Sequence, residues 1–541
     1  MTKVNSVLKY AAFAGLLASC TDLNVKERDS LVVATESGGF TGVNPAATVK
    51  SAINDLGQWA DQANIYALNE VSSDEIFVPT RGTDWGDNGV WRTLAQHAWD
   101  GNHQFVLNVW NNLNGNIFKL NQMLDPRSNA NPLQTAQAKF LRAYNMWYLV
   151  DLFRQVPQRG INDGPNVNPT VLSVQDAVDQ IIKDLNEAIP GLPSLGPTGV
   201  NDGSCPRKDP VISEAAGNFL KAKVLLNKHI YLGGTPSPAD MNAVIAAVDA
   251  ITADGFALQS GNYFNIFTAE ADSETILWAA SGVGNRIWNG MHYNQVAPDQ
   301  NGGWNGFSTY ADFYAKFEGS QTSNEPGNNQ EPRRGFVPTS GSTLQGFGPT
   351  NGSNLGIGFG FLVGQQYSAS GAKLKDRAGN DLVFTKDFPG IVANSERTGT
   401  RVLKYHPSYK DPCNKDDGGN VKPNNSFVSH YILFRYADAH LMKAEAALRG
   451  GTSSTSAQAL IDQLRTTRGT TSPLNATLDN LYDERGRELY AEGWRRNDMV
   501  RFGKFNAAFG FVTNTDNSRS VYPIPTVALT SNPNLKQNPG Y

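Results

Sequence analysis

Arg435-Tyr436-Ala437-Asp438-Ala439-His440-Leu441-Met442-Lys443-Ala444-Glu445-Ala446-Ala447-Leu448 decides the fold class. With Leu433 ahead of it, the stretch sets Leu433, Ala437, Leu441, Ala444 and Leu448 at 3–4 residue steps, the spacing of one buried helix face. Ala444 to Ala447 supplies small residues where a second helix must come close. Gly450-Gly451 then breaks the pattern, and Ala457 to Arg465 resumes it behind the break. Helix, glycine break, helix is a hairpin.

The same unit recurs upstream. Val49 to Asn69 is amphipathic, and Phe105 to Leu124 reads as a helix stopped by Pro126. Ala136 to Phe153 carries Phe140, Leu141, Tyr144, Trp147 and Tyr148 at helical spacing, and Trp147, like Trp494, belongs to the core. Ser173 caps a helix to Ala188 with Ala177, Ile181, Leu185 and Ala188 on one face. Glu214 to Tyr231 and Ala239 to Ala253 form the next pair. About four such pairs point to tetratricopeptide-like hairpins, though without a fixed repeat length. Residues 257–430 differ: Gly, Asn, Ser and aromatics dominate, and Gly356 to Gly364 and Leu382 to Phe384 read as short strands around a turn. The predicted class is mainly α, a scaffold of helix pairs carrying a long loop-rich region with a few short strands.

The N-terminus is a different object. Lys3 and Lys9 give a positive segment, and Tyr10 to Ala18 is an apolar run too short to span a bilayer. Leu17-Ala18-Ser19-Cys20 follows, small residues before a cysteine that can accept lipid. Residues 1–19 therefore read as a lipoprotein signal peptide, Cys20 as the lipidated residue and 20–45 as a flexible tether. The remainder, 46–541, reads as one domain: scaffold at about 46–256 and 431–510, irregular region at about 257–430, and an extended C-terminal strap at about 511–541.

Composition excludes several classes. The 541 residues carry a net charge of −4 with no basic block, which argues against a nucleic-acid partner. Gly 52, Trp 10 and only 18% charged residues suit long ordered loops with aromatic surfaces. Besides Cys20 there are Cys205 and Cys413, each in a Gly/Pro/Asp-rich loop; export permits a disulfide, and spacing does not decide it. No HExxH or CxxC pattern occurs, so neither a metal nor another cofactor is expected. Asp84 to Gly89 and Asp411 to Gly418 are oxygen-rich without completing a calcium loop. Glu70, Asp74 and Glu75 are the carboxylates nearest one another. A glycosidase needs two facing carboxylates roughly 5–9 Å apart, and adjacent residues on a turn point apart. Asp74-Glu75 is expected to order the following loop instead. In the C-terminal charged run, Glu484 with Arg487 and Glu492 with Arg496 stand at helical pairing distance, an expected structural lock.

Several segments together resemble one family, the SusD/RagB nutrient-binding lipoproteins. They are Asn69 to Glu75, Pro79 to Trp85, Ala138 to Tyr144 with Val150 to Phe153, Arg435 to Ala446, Glu484 to Asp498, Tyr522-Pro523-Ile524-Pro525 and Asn532 to Tyr541. They stand in the family's order over nearly the whole chain. The resemblance implies tetratricopeptide-like helix pairs, an outer-membrane location, a SusC-like TonB-dependent transporter as partner, an oligosaccharide or in some members a peptide as ligand, and no catalytic activity. It also implies a ligand surface built from the loop after the first long helix and from the central region. Sugars stack C–H faces on Trp and Tyr, and their hydroxyls take forked donors and acceptors. Two stretches there supply both: Arg81, Asp84, Trp85, Asp87 and Asn88, and Arg286, Trp288, Asn289, Tyr293, Trp304 and Asn305. Peptide capture, a lipid-anchored hydrolase using Glu70 or Glu75, and a ligand-free interaction scaffold are the alternatives.

Overall fold

Side-chain caps start most of the expected helices. Ser173 Oγ accepts from Asp176 N and opens Val174–Ala188. Asn131 and Gln134 form a reciprocal capping box ahead of Pro132–Phe153, with proline at the first helical position, where no amide is needed. Ser213, Ser237 and Ser456 do the same for Glu214–Tyr231, Pro238–Ala253 and Ala457–Thr467. Gln104–Leu124 ends just before Pro126. The computed structural model describes residues 39–541 except 198–208, 269–270, 297–301, 322–323, 325–329, 339–355, 369, 408–427, 429 and 471. The signal peptide, Cys20, most of the tether, Cys205, Cys413 and the Asp411 to Gly418 loop lie outside the described residues.

Gly42–Tyr541 forms one unit, and mainly α architecture with packed helix pairs is what it shows. Gln104–Leu124 packs on Pro132–Phe153, which packs on Val174–Ala188; Glu214–Tyr231 packs on Pro238–Ala253; Tyr436–Leu448 packs on Ala457–Thr467 and Leu478–Leu489. Trp147 and Trp494 are buried, their rings 6.3 Å apart. None of the described helices is long and apolar enough to cross a membrane.

Short antiparallel strands tie the loop region to this scaffold. Thr275–Ala279 pairs with Tyr431–Arg435, and the latter runs directly into Tyr436–Leu448. Leu433 is thus a strand residue, not the first turn of the helix: Tyr431-Ile432-Leu433-Phe434 is buried on both sides, which favours a strand. Phe359–Leu362 pairs with Arg401–Leu403 and Gly335–Phe336, whereas Val383–Phe384 pairs with Gly364–Gln365. The sequence suggested strands at Gly356 to Gly364 and Leu382 to Phe384 around a turn; the strand within the first stretch pairs elsewhere, and Val383–Phe384 meets only its end, at Gly364–Gln365.

Other boundaries also move. Val49 to Asn69 is not one helix but Pro45–Asn54, a 3-10 turn at Asp55–Ala60 and Asn64–Glu70. The break frees the Trp59 and Asp61 carbonyls, and both accept from Arg286 Nη2. Residues 42–45, read as tether, belong to the body: Val43 N donates to Ser128 Oγ at 3.0 Å and Asn44 caps the first helix. Glu492 and Arg496 do not pair, because the helix ends at Leu489 and a new one starts at Arg495. Glu492 instead binds Arg435 and Lys404, and Arg496 binds Asp151. Glu484 and Arg487 do pair, at 2.5 Å. The C-terminal strap is partly helical, at Thr526–Ser531, and is fixed by Tyr522, whose N donates to Leu152 O and whose hydroxyl donates to Leu68 O, each at 2.7 Å.

Glu70 and Glu75 clamp the Leu489–Arg495 connection. Glu75 Oε1 accepts from Ala491 N and Glu70 Oε1 from Gly493 N, across a turn whose Ala491 and Gly493 have φ of 59° and 85°. Both carboxyls are fully buried, with no face open to a substrate. Burial pushes Glu70 up to about 7 and raises Glu75 as well, so the pair holds protons more tightly folded than unfolded. Its stabilisation is complete below the unfolded value of 4.5 and is lost as pH rises through about 7. Thermal unfolding is therefore expected to show a fall in Tm between pH 5 and pH 7 that shrinks in Glu70→Gln, which keeps the acceptor for Gly493. An equal fall in both proteins would refute the assignment.

Candidate ligand-binding site

The two stretches singled out in the sequence converge. Gly284–Trp288 is a short helix, and the chain then turns so that residues 288–291 face 303–307. Trp304 N donates to Trp288 O and Asn305 N to Met291 O, both at 2.7 Å; Gly306 and Phe307 both donate to Asn289 O. The approach is close at Gly302 and Gly303, where a Cβ would collide with the Tyr293 and Met291 carbonyls, and at Gly306, where one would enter the Trp85 indole. Trp85 arrives from the 79–89 loop in the left-handed region, at φ 60°, directly after the turn closed by Arg81 and Asp84.

The result is a fixed aromatic cluster with an open edge. Trp85 Nε1 donates to Trp304 O at 2.9 Å, and the Trp288 and Trp304 rings lie 4.9 Å apart at 41°. Trp85 packs edge-on against Trp91 and Phe307, each at 5.8 Å. Trp304 is 38% exposed, and Trp85, Trp288 and Tyr293 are half-buried. Polar groups rim the cluster. Tyr293 Oη donates to Asp84 Oδ2 at 2.6 Å, and the Arg377 guanidinium lies 3.9 Å over the Tyr293 ring while reaching Asp84 at 3.1 Å. Burial and then the Asp84 carboxylate raise the Tyr293 phenol, so it stays a donor. Asp87 and Asn88 are exposed beside Trp85, with Asp87 accepting from Trp91 Nε1 at 2.7 Å.

Glu396 joins the rim from below. Burial opposes its charge, but donors from Arg377 and His292 hold it below the usual carboxylate range. His292 Nδ1 accepts from Asn294 N, so Nε2 carries the proton donated to Glu396 at 3.0 Å. Burial lowers His292 to about 4, which leaves it neutral.

Four of the sequence candidates are not on this surface. Arg81 is buried and donates to Asn305 O, Ser395 O, Thr398 O and Ser308 Oγ. Asn305 is buried between Arg81 and Arg401, and its Oδ1 accepts from Arg401 at 2.6 and 2.9 Å. Arg286 is buried with its guanidinium 3.2 Å over Tyr66. Asn289 is buried beside an enclosed chamber of about 20 Å³, too small for a sugar ring. A forked cation or amide serves loop carbonyls as well as it serves hydroxyls, so residue type could not separate frame from surface. Conversely, Arg377 and Glu396 escaped notice, because they come from a polar stretch remote in sequence. Among the described residues, no group of three or more His, Cys, Asp or Glu could hold a metal ion.

Residues 273–541 match a family model described as the SusD family, and residues 31–196 match one described as starch-binding associating with outer membrane. The chain belongs to the SusD/RagB family. Among SusD/RagB relatives, the starch-binding protein SusD of Bacteroides thetaiotaomicron is 26% identical over 530 residues, covering 90% of this chain and 87% of that protein. SusD-like protein P38 of Formosa agariphila is 32% identical over 168 residues, 28% of this chain and 31% of that protein. A laminarin binding SusD-like protein superposes with a TM-score of 0.63 at 22% identity, covering 92% of this chain and 99% of that one. Surface glycan-binding protein A from Bacteroides fluxus does so with 0.64 at 19% identity over the same shares. These two likenesses establish the SusD fold. SusD/RagB proteins are binding proteins rather than enzymes.

Proposed function

We propose that this chain captures oligosaccharides at the cell surface and delivers them to a SusC-like TonB-dependent transporter, attached to the outer membrane by lipid on Cys20. The observation that carries the reading is the half-exposed Trp85, Trp288, Trp304 and Tyr293 cluster, locked from beneath and rimmed by Asp84, Asn88 and Arg377. Locked rings lose little entropy on binding, so a sugar face gains most of the contact it makes. The rim supplies carboxylate, amide and guanidinium groups for hydroxyls. Starch, laminarin and glycan binding in the named relatives supports a glycan ligand.

Competition between a polysaccharide panel and a peptide pool tests the ligand class. Displacement by a glycan and not by peptides is expected; displacement by peptides alone would sink the glycan reading. For the anchor, Cys20→Ala should leave the outer-membrane fraction, and its persistence there would contradict lipid attachment.

A further inference from the structure

A second concavity lies on the scaffold. It is bounded by Gln104–Leu124, by the Val156–Gln158 and Thr170–Leu172 hairpin and by the C-terminal helix Thr526–Ser531. It encloses about 370 Å³, within the roughly 300–1,000 Å³ of small-molecule sites. Its walls are mostly carbon, from Leu107, Trp110, Phe118, Val527 and Leu535, and among the described residues no carboxylate side chain lines it. Val527 on the rim is 61% exposed.

Two features set this groove apart from an incidental gap. Gly115 stands in the interior of the 21-residue helix, on the groove wall. Glycine there weakens a helix relative to alanine. A Cβ at Gly115 would meet nothing within 4 Å, so no neighbour among the described residues requires the missing side chain. The open space it leaves belongs to the groove. The second feature is Arg159, the single cation lining the groove among the described residues. Its Nη2 donates to the backbone carbonyls of Gly164, at 2.6 Å, and Asp163, at 3.4 Å, and it forms no ion pair among the described residues. A guanidinium aimed by carbonyls retains its charge for an incoming anion.

We propose that this groove binds an amphipathic monocarboxylate, with its alkyl chain along Trp110, Phe118 and Gly115 and its carboxylate on Arg159. Alkyl burial supplies the affinity and the guanidinium selects the head group. The proposal does not depend on the glycan reading, which rests on other residues.

The test is titration of the purified protein with decanoate below its micelle concentration, followed by Trp fluorescence and calorimetry, with 1-decanol as the uncharged control. Saturable one-to-one decanoate binding is expected, with decanol bound at least tenfold more weakly. Gly115→Leu fills the groove and should weaken decanoate at least tenfold. Gly115→Ala should raise Tm, confirming that the position is sterically open. Val527→Trp on the opposite wall is a second block should Gly115→Leu fold poorly. Arg159→Gln should weaken decanoate at least tenfold and leave decanol unchanged. Absence of saturable decanoate binding would overturn the proposal. So would full affinity in the folded groove-filling variants, or equal affinity for acid and alcohol.

Discussion

Arg435→Ala is expected to lose about 3–5 kcal/mol of folding stability, the range for breaking a buried ion pair on one side. Arg435 is 1% exposed and binds Glu274 at 3.0 Å, Glu488 at 2.7 Å and Glu492 at 2.6 Å. Arg468 shares Glu274 and Glu488, Arg333 bridges Glu484 and Glu488, and Lys404 also holds Glu492. Arg333 and Lys404 come from the loop region, while Glu484 and Glu488 stand on Leu478–Leu489. The cluster therefore joins loops to scaffold. Removing Arg435 leaves buried carboxylates short of a partner, and desolvation then dominates. Urea unfolding measures the loss; a change below about 1 kcal/mol would show that the network rearranges freely. Burial opposes charge on Glu484, yet Arg333, Arg487 and Arg465 bring it down to about 2. Its contribution is present above the unfolded value of 4.5 and fails as pH falls through about 2.

Trp304→Ala should weaken glycan binding by about 30-fold, the loss of roughly 2 kcal/mol typical of a central aromatic anchor. Its stability should barely move. Trp304 is 38% exposed, and what it gives to the frame is its carbonyl, the acceptor for Trp85 Nε1, which alanine keeps. Trp288→Ala should act in the same direction, because the two rings face each other at 4.9 Å. By contrast, Asn305→Ala should cost stability first, since buried Arg401 loses the Oδ1 that accepts two of its bonds and Glu396 O loses the Nδ2 donor. Circular dichroism melts beside the titrations separate the two behaviours.

The scaffold was legible because helices announce themselves locally. Ser173, the Ala444 to Ala447 run and Pro126 each act within a few residues, and each marks an observed cap, packing face or stop. Leu433 misled because an apolar residue at the right spacing fits a helix face and a buried strand equally; its partner strand, Thr275–Ala279, lies far back in the chain. Glu492 and Arg496 misled for a related reason: the left-handed Ala491 and Gly493 break the helix that their spacing assumed. The proposed site was half legible. Aromatics in glycine-rich loops marked the cluster assigned to it, but exposure depends on which loop closes over which. Arg81, Arg286, Asn289 and Asn305 went under, and Arg377 came over the top from a stretch with no motif of its own.

Isothermal titration of the purified protein against a polysaccharide panel, repeated with Trp85→Ala and Trp304→Ala, measures the aromatic cluster directly. Saturable binding to at least one glycan, lost or sharply weakened in both variants while both still unfold cooperatively and Trp304→Ala melts near the parent, is the predicted result. A glycan bound with the same affinity by the parent and by both variants would contradict the site.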